Sequence, residues 1–218
     1  MGSSNISSDK SDTNCIKNYN ENCGINEFVQ YNSYGNITYY FKYQINLFNR
    51  LALVLYDMNE KEIGYIEKVS HCDQAQFNFY DENKQMKFYI ERNKYCCDFR
   101  YTFYGLDKNV ESIITIKFGC CSIAIDEYDK YNSRIKGARG EKCCCGDITY
   151  YENDSYGNTT FIIRCTSECG SAKIKIYDSN NMEINFNEKS IFNDGFTKIQ
   201  QVIFLLTFFD NNNNQKRS

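Results

Sequence analysis

Hydrophobic and polar residues alternate in short runs along most of the chain, as in Gln76-Phe-Asn-Phe-Tyr80 and Ala172-Lys-Ile-Lys-Ile-Tyr177. An alternation of period two places the apolar side chains on one face of an extended segment, so each run predicts a β-strand with one buried face. Polar stretches rich in Asp and Asn separate the runs, which predicts turns and therefore antiparallel hairpins. The pattern indicates an all-β protein.

The predicted hairpins recur at a nearly constant spacing, which makes the chain an internal repeat. The cysteines that close successive units are 25, 24, 24 and 24 residues apart, and the polar turns keep the same step. A unit of this length is too short for a four-stranded propeller blade but fits a strand, a turn and a returning strand. A weaker unit, residues 28–45, precedes them. The cysteines are Cys72, Cys97, Cys121, Cys145 and Cys169, and the turn positions are Asp57, Asp81, Gly105, Asp129, Asp154 and Asp178.

The last apolar segment has a helical period, and further apolar side chains cover much of its remaining surface. A helix that is apolar nearly all round is buried, and this segment is well short of the roughly 20 residues that a membrane-spanning helix needs. We therefore expect a helix over residues 197–209, with Ile203 and Leu206 fully buried. It should lie inside a closed antiparallel β-barrel of about twelve strands. The residues at helical spacing are Ile199, Val202, Ile203 and Leu206.

The composition restricts the function more than the fold. The chain has 218 residues with 25 basic and 28 acidic side chains, so it lacks the strong positive field of a dedicated nucleic-acid-binding protein.

Residues 1–26 and 211–218 are polar, which predicts disordered tails on either side of one barrel domain, residues 27–210. The N-terminus has no apolar segment typical of a secretory signal, so we expect the 12 cysteines to be mostly reduced.

The chain has strand-turn units such as residues 51–66, cysteine doublets and a triplet between the units, and a helical ending at residues 198–210. Together these three features resemble the phospholipid scramblase family, whose domain is similar to the Tubby C-terminal barrel. The resemblance covers residues 27–210 and implies a protein at the cytoplasmic face of the plasma membrane that binds or moves phospholipids and responds to Ca²⁺. Without acylation the protein would be cytosolic. The chain differs from the family in lacking a proline-rich N-terminal region and the densest run of cysteines.

No catalytic constellation stands out in the sequence. The single histidine, His71, belongs to no recognisable Ser/His/Asp or Cys/His arrangement, and its neighbour Cys72 would face the opposite side of a strand. The sequence contains neither a P-loop nor a dinucleotide fingerprint. We therefore expect a binding protein rather than an enzyme. It is either a scramblase-like protein that binds membrane phospholipids, or a soluble Tubby-like adaptor that reads a phosphoinositide headgroup or a protein partner.

The cysteines between the units allow three interpretations. Because they recur at one place in each unit, they should gather at one end of the barrel. They act as small buried hydrophobic residues, as palmitoylation sites that fix this end to a membrane, or as zinc ligands, although the chain has no two paired Cys-x₂-Cys motifs. The residues that acylation would modify are Cys96, Cys97, Cys120, Cys121, Cys143, Cys144 and Cys145.

The last hairpin before the helix is rich in oxygen ligands. Asp178, Asn180 and Glu183 resemble the acidic Ca²⁺ segment that scramblases carry at this location, and alternating oxygen ligands suit a hard cation. The EF-hand pattern is incomplete, because Glu183 stands where that motif has glycine. Asp57 and Asp81 carry the same Asp-x-Asn signature, which is typical of ordinary turns. A weak Ca²⁺ site, with a Kd on the order of 10⁻⁴–10⁻³ M, and a simple turn are therefore both compatible with the sequence.

Overall fold

The fold of the protein is described from a computed structural model of the chain. Cys72, Cys97, Cys144, Cys145 and Cys169 lie outside the residues that it describes, as do the C-terminal tail and most of the N-terminal one. The described residues are 15–17, 27–31, 37–45, 50–57, 59–71, 74–96, 98–143, 147–168, 171–184 and 196–210.

Within the described residues the protein is one antiparallel sheet of fifteen strands, followed by a C-terminal helix that packs against it. The strands are β1 (Cys15–Lys17), β2 (Glu27–Tyr31), β3 (Ile37–Ile45), β4 (Leu51–Asp57), β5 (Glu62–His71), β6 (Gln74–Asp81), β7 (Met86–Tyr95), β8 (Asp98–Tyr104), β9 (Val110–Phe118), β10 (Ser122–Asp129), β11 (Arg134–Lys142), β12 (Ile148–Asn153), β13 (Thr159–Glu168), β14 (Ser171–Asp178) and β15 (Glu183–Ile184).

Pairing follows chain order from β2 to β14, so the predicted consecutive hairpins are confirmed. β1 falls in the segment that composition assigns to the N-terminal tail, and it pairs with β14, as does β15. The predicted number of strands, about twelve, is too low. The short strands β1 and β15 contain too few residues to produce an alternation that can be read from the sequence.

Six turns in the described chain share one geometry and lie at the same end of the sheet, here termed the turn end. In five of them an aspartate carboxylate accepts hydrogen bonds of 2.8 to 3.0 Å from the backbone N–H groups two and four residues further on. The fourth residue of each turn has a φ between 60° and 91°, which lets the strands resume their pairing after the turn. These turns begin at the predicted positions, Asp57, Asp81, Gly105, Asp129, Asp154 and Asp178.

Consecutive antiparallel strands place the alternate connections at the opposite end of the sheet. The connections β7–β8, β9–β10 and β11–β12 meet there and contain Cys96, Cys120, Cys121 and Cys143. This end of the sheet is termed the cysteine end. The repeat therefore separates two kinds of connection, the aspartate turns and the cysteine connections, onto two ends of one sheet.

The helix α1 (Lys198–Leu205) continues as a π-helical turn, Leu206–Asp210. Every residue from 199 to 205 is buried, which agrees with the prediction of a helix that is covered on all sides. The aromatic rings of Phe204 and Phe208 lie 5.5 and 5.6 Å from that of Phe41 on β3, and Phe209 lies 5.2 Å from Phe77 on β6.

The predicted burial of the helix is confirmed at Ile199, Val202 and Ile203, which are at most 1% exposed. The prediction for Leu206 is wrong, because this residue is only partly buried. Leu206 keeps its helical position, because its N–H still donates to the carbonyl oxygens of Val202 and Ile203. The helix surface is only partly covered at this turn, where Leu206 and Thr207 are both partly exposed.

Buried charges hold the N-terminus of the helix. Thr197 and Gln200 form a capping box, and Oε2 of Glu152 on β12 accepts hydrogen bonds from Thr197 Oγ1 at 3.1 Å and Gln200 Nε2 at 3.2 Å. Oε1 of Glu152 accepts a bond of 2.9 Å from Lys136 Nζ, which also lies 3.7 Å from Glu127. Burial raises the pKa of the Glu127 carboxyl, and the neighbouring lysine ammonium opposes that rise. Carboxylates at this position match the positive end of the helix dipole.

Cations occupy the other end of the helix. Lys68 Nζ donates a hydrogen bond of 3.4 Å to the carbonyl oxygen of Phe209 and lies 5.9 Å from the ring centres of Phe77 and Phe209. The guanidinium of Arg92 lies 5.8 Å from Phe77 and 5.3 Å from Phe99. The charges on the core side of the sheet thus match both ends of the helix dipole, and they favour the direction in which the helix lies.

Replacing Lys136 by methionine should leave Glu127 and Glu152 without their shared countercharge. We expect the free energy of unfolding at neutral pH to fall by about 3–5 kcal/mol. The deficit relative to wild type should shrink as the pH falls, because the pKa of Glu127 is raised in the folded state and protonation removes the buried charge. Urea denaturation at several pH values measures both effects.

The matched control for this variant is Lys61→Met, which removes an exposed lysine that forms a 2.7 Å ion pair with Glu82. That change should cost less than about 1 kcal/mol. Equal losses in the two variants would contradict the role assigned to the buried carboxylates.

Candidate functional site

Three neighbouring connections at the cysteine end present thiols to solvent. Cys96 lies between β7 and β8, Cys120 and Cys121 between β9 and β10, and Cys143 directly after β11, and all four are exposed. The Lys142 N–H donates a 3.1 Å hydrogen bond to the Cys121 carbonyl oxygen, which holds two of the connections side by side. The structure therefore brings the described cysteines of the repeat together at the cysteine end.

Basic side chains accompany these thiols. The described segments 94–100, 117–122 and 141–147 contain one exposed acidic residue, Glu141, whereas Asp98 and Asp147 are half-buried. Four basic residues are exposed in the same segments, so the edge has an excess of positive charge. They are Lys94, Arg100, Lys117 and Lys142.

Two aromatic side chains complete the surface of the cysteine end. Tyr95 is 57% exposed beside Cys96, and Phe118 is 39% exposed beside the β9–β10 connection. The Phe118 ring packs edge-on against Phe99 at 5.4 Å, so the hydrophobic core extends to the exposed edge here. Aromatic rings flanked by basic groups are typical of surfaces that lie at the boundary between water and lipid.

The four basic residues carry only a weak signal in the sequence, and the predicted site did not include them. A lysine stands one to three residues before each exposed cysteine or cysteine pair of the three connections, namely Lys94, Lys117 and Lys142. Lysine is common throughout the chain, and its position matters only once the hairpins bring the three connections together. Their convergence is a property of the topology.

The exposure of the thiols decides between some of the interpretations of the cysteines. The buried-hydrophobe interpretation is wrong for Cys96, Cys120, Cys121 and Cys143, which are all exposed. In the part of the chain that the structure describes, no three His, Cys, Asp or Glu side chains converge to hold a metal ion, so zinc gains no support there. Acylation stays a prediction. Cys165 on β13 is different, because it packs against the core and burial raises the pKa of its thiol to about 12.

The residues predicted to bind Ca²⁺ lie at the turn end. Oδ1 of Asp178 accepts hydrogen bonds of 2.9 Å from the backbone N–H groups of Asn180 and Met182, the same role that Asp129 plays in its own turn. Asn180 is exposed and Glu183 begins β15. This bonding accounts for Asp178 as a turn residue, and the Ca²⁺ site stays a prediction. His71 ends β5, and its side chain lies outside the described part.

The chain matches no known protein family, and a search of curated proteins finds no relative. The resemblance to phospholipid scramblases therefore stays a prediction from the residues that carry it. Among the described residues, no helix is both long and apolar enough to cross a membrane.

Native thiol reactivity tests the geometry of the cysteine end. Iodoacetamide should alkylate Cys96, Cys120, Cys121 and Cys143 in the folded protein, because their thiols are exposed. Cys165 should react only after denaturation, since burial both shields its thiol and disfavours the reactive thiolate. Peptide mass spectrometry after timed quenching locates the label. Labelling of Cys165 as fast as of the other four would contradict this arrangement.

Thermal melts in millimolar Ca²⁺ and in EDTA test the predicted cation site. Ca²⁺ at about ten times the Kd of a site at Asp178, Asn180 and Glu183 should stabilise the fold by about 1.4 kcal/mol. Asp178→Ala should abolish this response. Asp129→Ala is the control, because it removes the same type of turn hydrogen bonds and should leave the response intact. Identical melts of the wild type in both solutions would leave Asp178 with the turn role alone.

Proposed function

We propose that the protein is a peripheral phospholipid-binding barrel that contacts anionic membranes through its cysteine end. The observation that carries the proposal is the convergence of exposed thiols, exposed basic side chains and exposed aromatic rings at this edge. Lysine and arginine near an anionic bilayer surface each contribute about 1 kcal/mol of attraction. Tyr95 and Phe118 supply the apolar contact at the level of the headgroups.

Closure of the sheet into a barrel is part of this proposal. Helix residues contact side chains or rings on strands along the whole sheet, from Phe41 on β3 through Phe77 on β6 and Glu111 on β9 to Glu152 on β12 and Cys165 on β13. One helix can touch strands so far apart in the pairing order only when the sheet curls around it. β1, which pairs with β14, also approaches β2 at the other end of the pairing order.

Acylation of the exposed cysteines would strengthen this contact. A single acyl chain gives only marginal, reversible membrane binding, and stable anchoring takes a second signal such as a basic patch. The cysteine end offers both on one surface, since Lys142 directly precedes Cys143 and Lys94 lies two residues before Cys96. Palmitoylation and electrostatic attraction would therefore both act at the cysteine end.

The interior supports binding rather than translocation as the activity of the barrel. In the proposed barrel, helix α1 and the aromatic core would fill the interior, because both belong to one core cluster, so lipid contact would take place on the outside. Ca²⁺ has no bridging role in this contact. Asp178, Asn180 and Glu183 lie at the turn end, so a cation there could not join the cysteine end to lipid headgroups. We therefore expect membrane binding without Ca²⁺.

Co-sedimentation with vesicles tests the proposal. The unmodified chain should bind phosphatidylcholine vesicles that contain phosphatidylserine and not pure phosphatidylcholine, with an affinity that falls as salt rises. Lys94→Gln, Lys117→Gln and Lys142→Gln together should cost about 3 kcal/mol, a loss on the order of 100-fold in affinity. Adding EDTA should change nothing.

The matched control neutralises three lysines at the turn end, Lys84, Lys108 and Lys130, and so changes the net charge by the same amount. An equal loss of binding in the control would show that net charge alone attracts the protein, and the assigned surface would be wrong. Vesicles that contain phosphatidylinositol bisphosphate at the same total charge distinguish this proposal from the alternative, an adaptor that reads a phosphoinositide headgroup. A strong preference for them that survives the triple change at the cysteine end would favour the phosphoinositide-reading adaptor.

A further inference from the structure

The order of paired strands leaves one seam in the proposed barrel, between β2 and β14. Pairing follows chain order over thirteen strands from β2 to β14, and each strand is antiparallel to the next. The first and the thirteenth strand of such a series run in the same direction. Direct pairing of β2 with β14 would therefore be parallel, so a barrel that is antiparallel throughout needs one more strand between them.

The short strand β1 has the position and the direction of that additional strand. It pairs antiparallel with the start of β14, where Cys15 lies opposite Lys173 and Lys17 lies opposite Ser171, and it also approaches β2. A strand that is antiparallel to β14 is antiparallel to β2 as well, because β2 and β14 run in the same direction. β1 is therefore the fourteenth strand of the proposed barrel, and it closes the seam at the cysteine end.

β1 holds the seam over a short length of backbone. It is three residues long, whereas β13, on the other side of β14, pairs with all eight residues of β14. A second short strand shares the edge that β1 covers, because β15 pairs with Ile176 and Tyr177 toward the turn end. β1 can therefore leave this edge without breaking the pairing between β13 and β14.

The contacts described above hold the helix to strands other than β1. Phe204 packs against Phe41 on β3, and Thr207 Oγ1 lies 3.9 Å from Cys165 Sγ on β13. Glu152 on β12 accepts the hydrogen bonds from the N-terminus of the helix. Loss of β1 leaves these contacts in place. A short terminal element outside the main packing of a protein opens at a lower free-energy cost than the whole fold does.

We propose that β1 is a detachable closing strand, which leaves the edge of β14 while the helix and the other strands stay folded. This inference rests on the barrel closure that is part of the proposed function. Release of β1 opens the seam and exposes backbone N–H and C=O groups on two strand edges, those of β2 and of residues 171–173. The N-terminal segment thereby controls whether the barrel is open or closed.

Hydrogen–deuterium exchange of the full wild-type chain in increasing urea tests the proposal without a substitution. Release of β1 exposes little surface, so amide exchange at residues 171–173 and 27–31 should depend only weakly on urea. Exchange at Ile114 and Ile116, which are fully buried on β9, should show the full urea dependence of global unfolding. Equal urea dependence at all of these positions would mean that β1 leaves only when the whole protein unfolds, which would overturn the proposal.

A proline in β1 tests the same strand by weakening its pairing. Ile16→Pro removes a backbone N–H donor, and proline fits poorly within a paired strand. Exchange at residues 171–173 and 27–31 should rise at least about tenfold, the factor that corresponds to one lost hydrogen bond. Exchange at Ile114 should stay as in the wild type. The matched control is Ile6→Pro, which makes the same substitution outside β1 and should change none of these rates.

Three results with Ile16→Pro would overturn the proposal. Unchanged exchange at residues 171–173 would show that β1 does not protect this edge. An equal rise at Ile114 would show that β1 belongs to the cooperative core. A rise at residues 171–173 without one at residues 27–31 would show that β1 does not bridge the seam, and only this third result would also contradict the proposed closure. Vesicle binding tests the proposed membrane contact separately, because that contact depends on the lysines of the cysteine end.

Discussion

A helix whose residues 199–205 are all buried must satisfy both of its polar ends within the protein, and charged side chains of the sheet do so here. At the N-terminus, the fully buried Glu152 bonds to Thr197 and Gln200 of the capping box and to Lys136 on the neighbouring strand. At the other end Lys68 donates to a terminal carbonyl. The helix dipole would meet like charges in the reverse orientation, so the charges on the sheet favour the direction in which the helix lies.

The direction of the helix also ties the core to the two chemically different ends of the sheet. The capped N-terminus reaches Glu111 at the turn end through Lys198, and the C-terminus lies among Lys68 and Arg92 toward the cysteine end. A hairpin repeat of constant length brings one type of connection to each end, because every second strand reverses direction. Aspartate turns collect at one end, and the exposed cysteines of the connections collect at the other.

Much of this fold is predictable from the sequence, because the relevant signals are local. Alternation and the aspartate turns depend on neighbouring residues, and both recur at the predicted positions from Asp57 to Asp178. The burial of Ile199, Val202 and Ile203 follows from helical spacing. Leu206 keeps the helical position but is only partly buried, because burial there depends on which side chains of the sheet cover the helix, and a local period does not contain that information.

The features that the sequence does not reveal are those that need several strands at once. Lys136, Glu127 and Glu152 are ordinary charged residues in the sequence, and only the register of β10, β11 and β12 makes them a buried cluster. Asp107, Glu111 and Asp129 similarly lie together only because two turns from separate hairpins are neighbours. For Asp178 the sequence is compatible with both a cation ligand and a turn residue, and the backbone hydrogen bonds support the turn role.

Depth-resolved fluorescence measures the proposed orientation of the protein on a bilayer. An environment-sensitive dye on Cys120, in a chain whose other exposed cysteines are serine, reports on the cysteine end. The same dye on Tyr131→Cys, with Cys120 also replaced, reports on the turn end. On vesicles that contain phosphatidylserine, the emission of the dye at Cys120 should shift to the blue and be quenched by lipid-bound quenchers. The dye at position 131 should keep the emission wavelength that it has in water. A shift at position 131, or none at Cys120, would contradict the account.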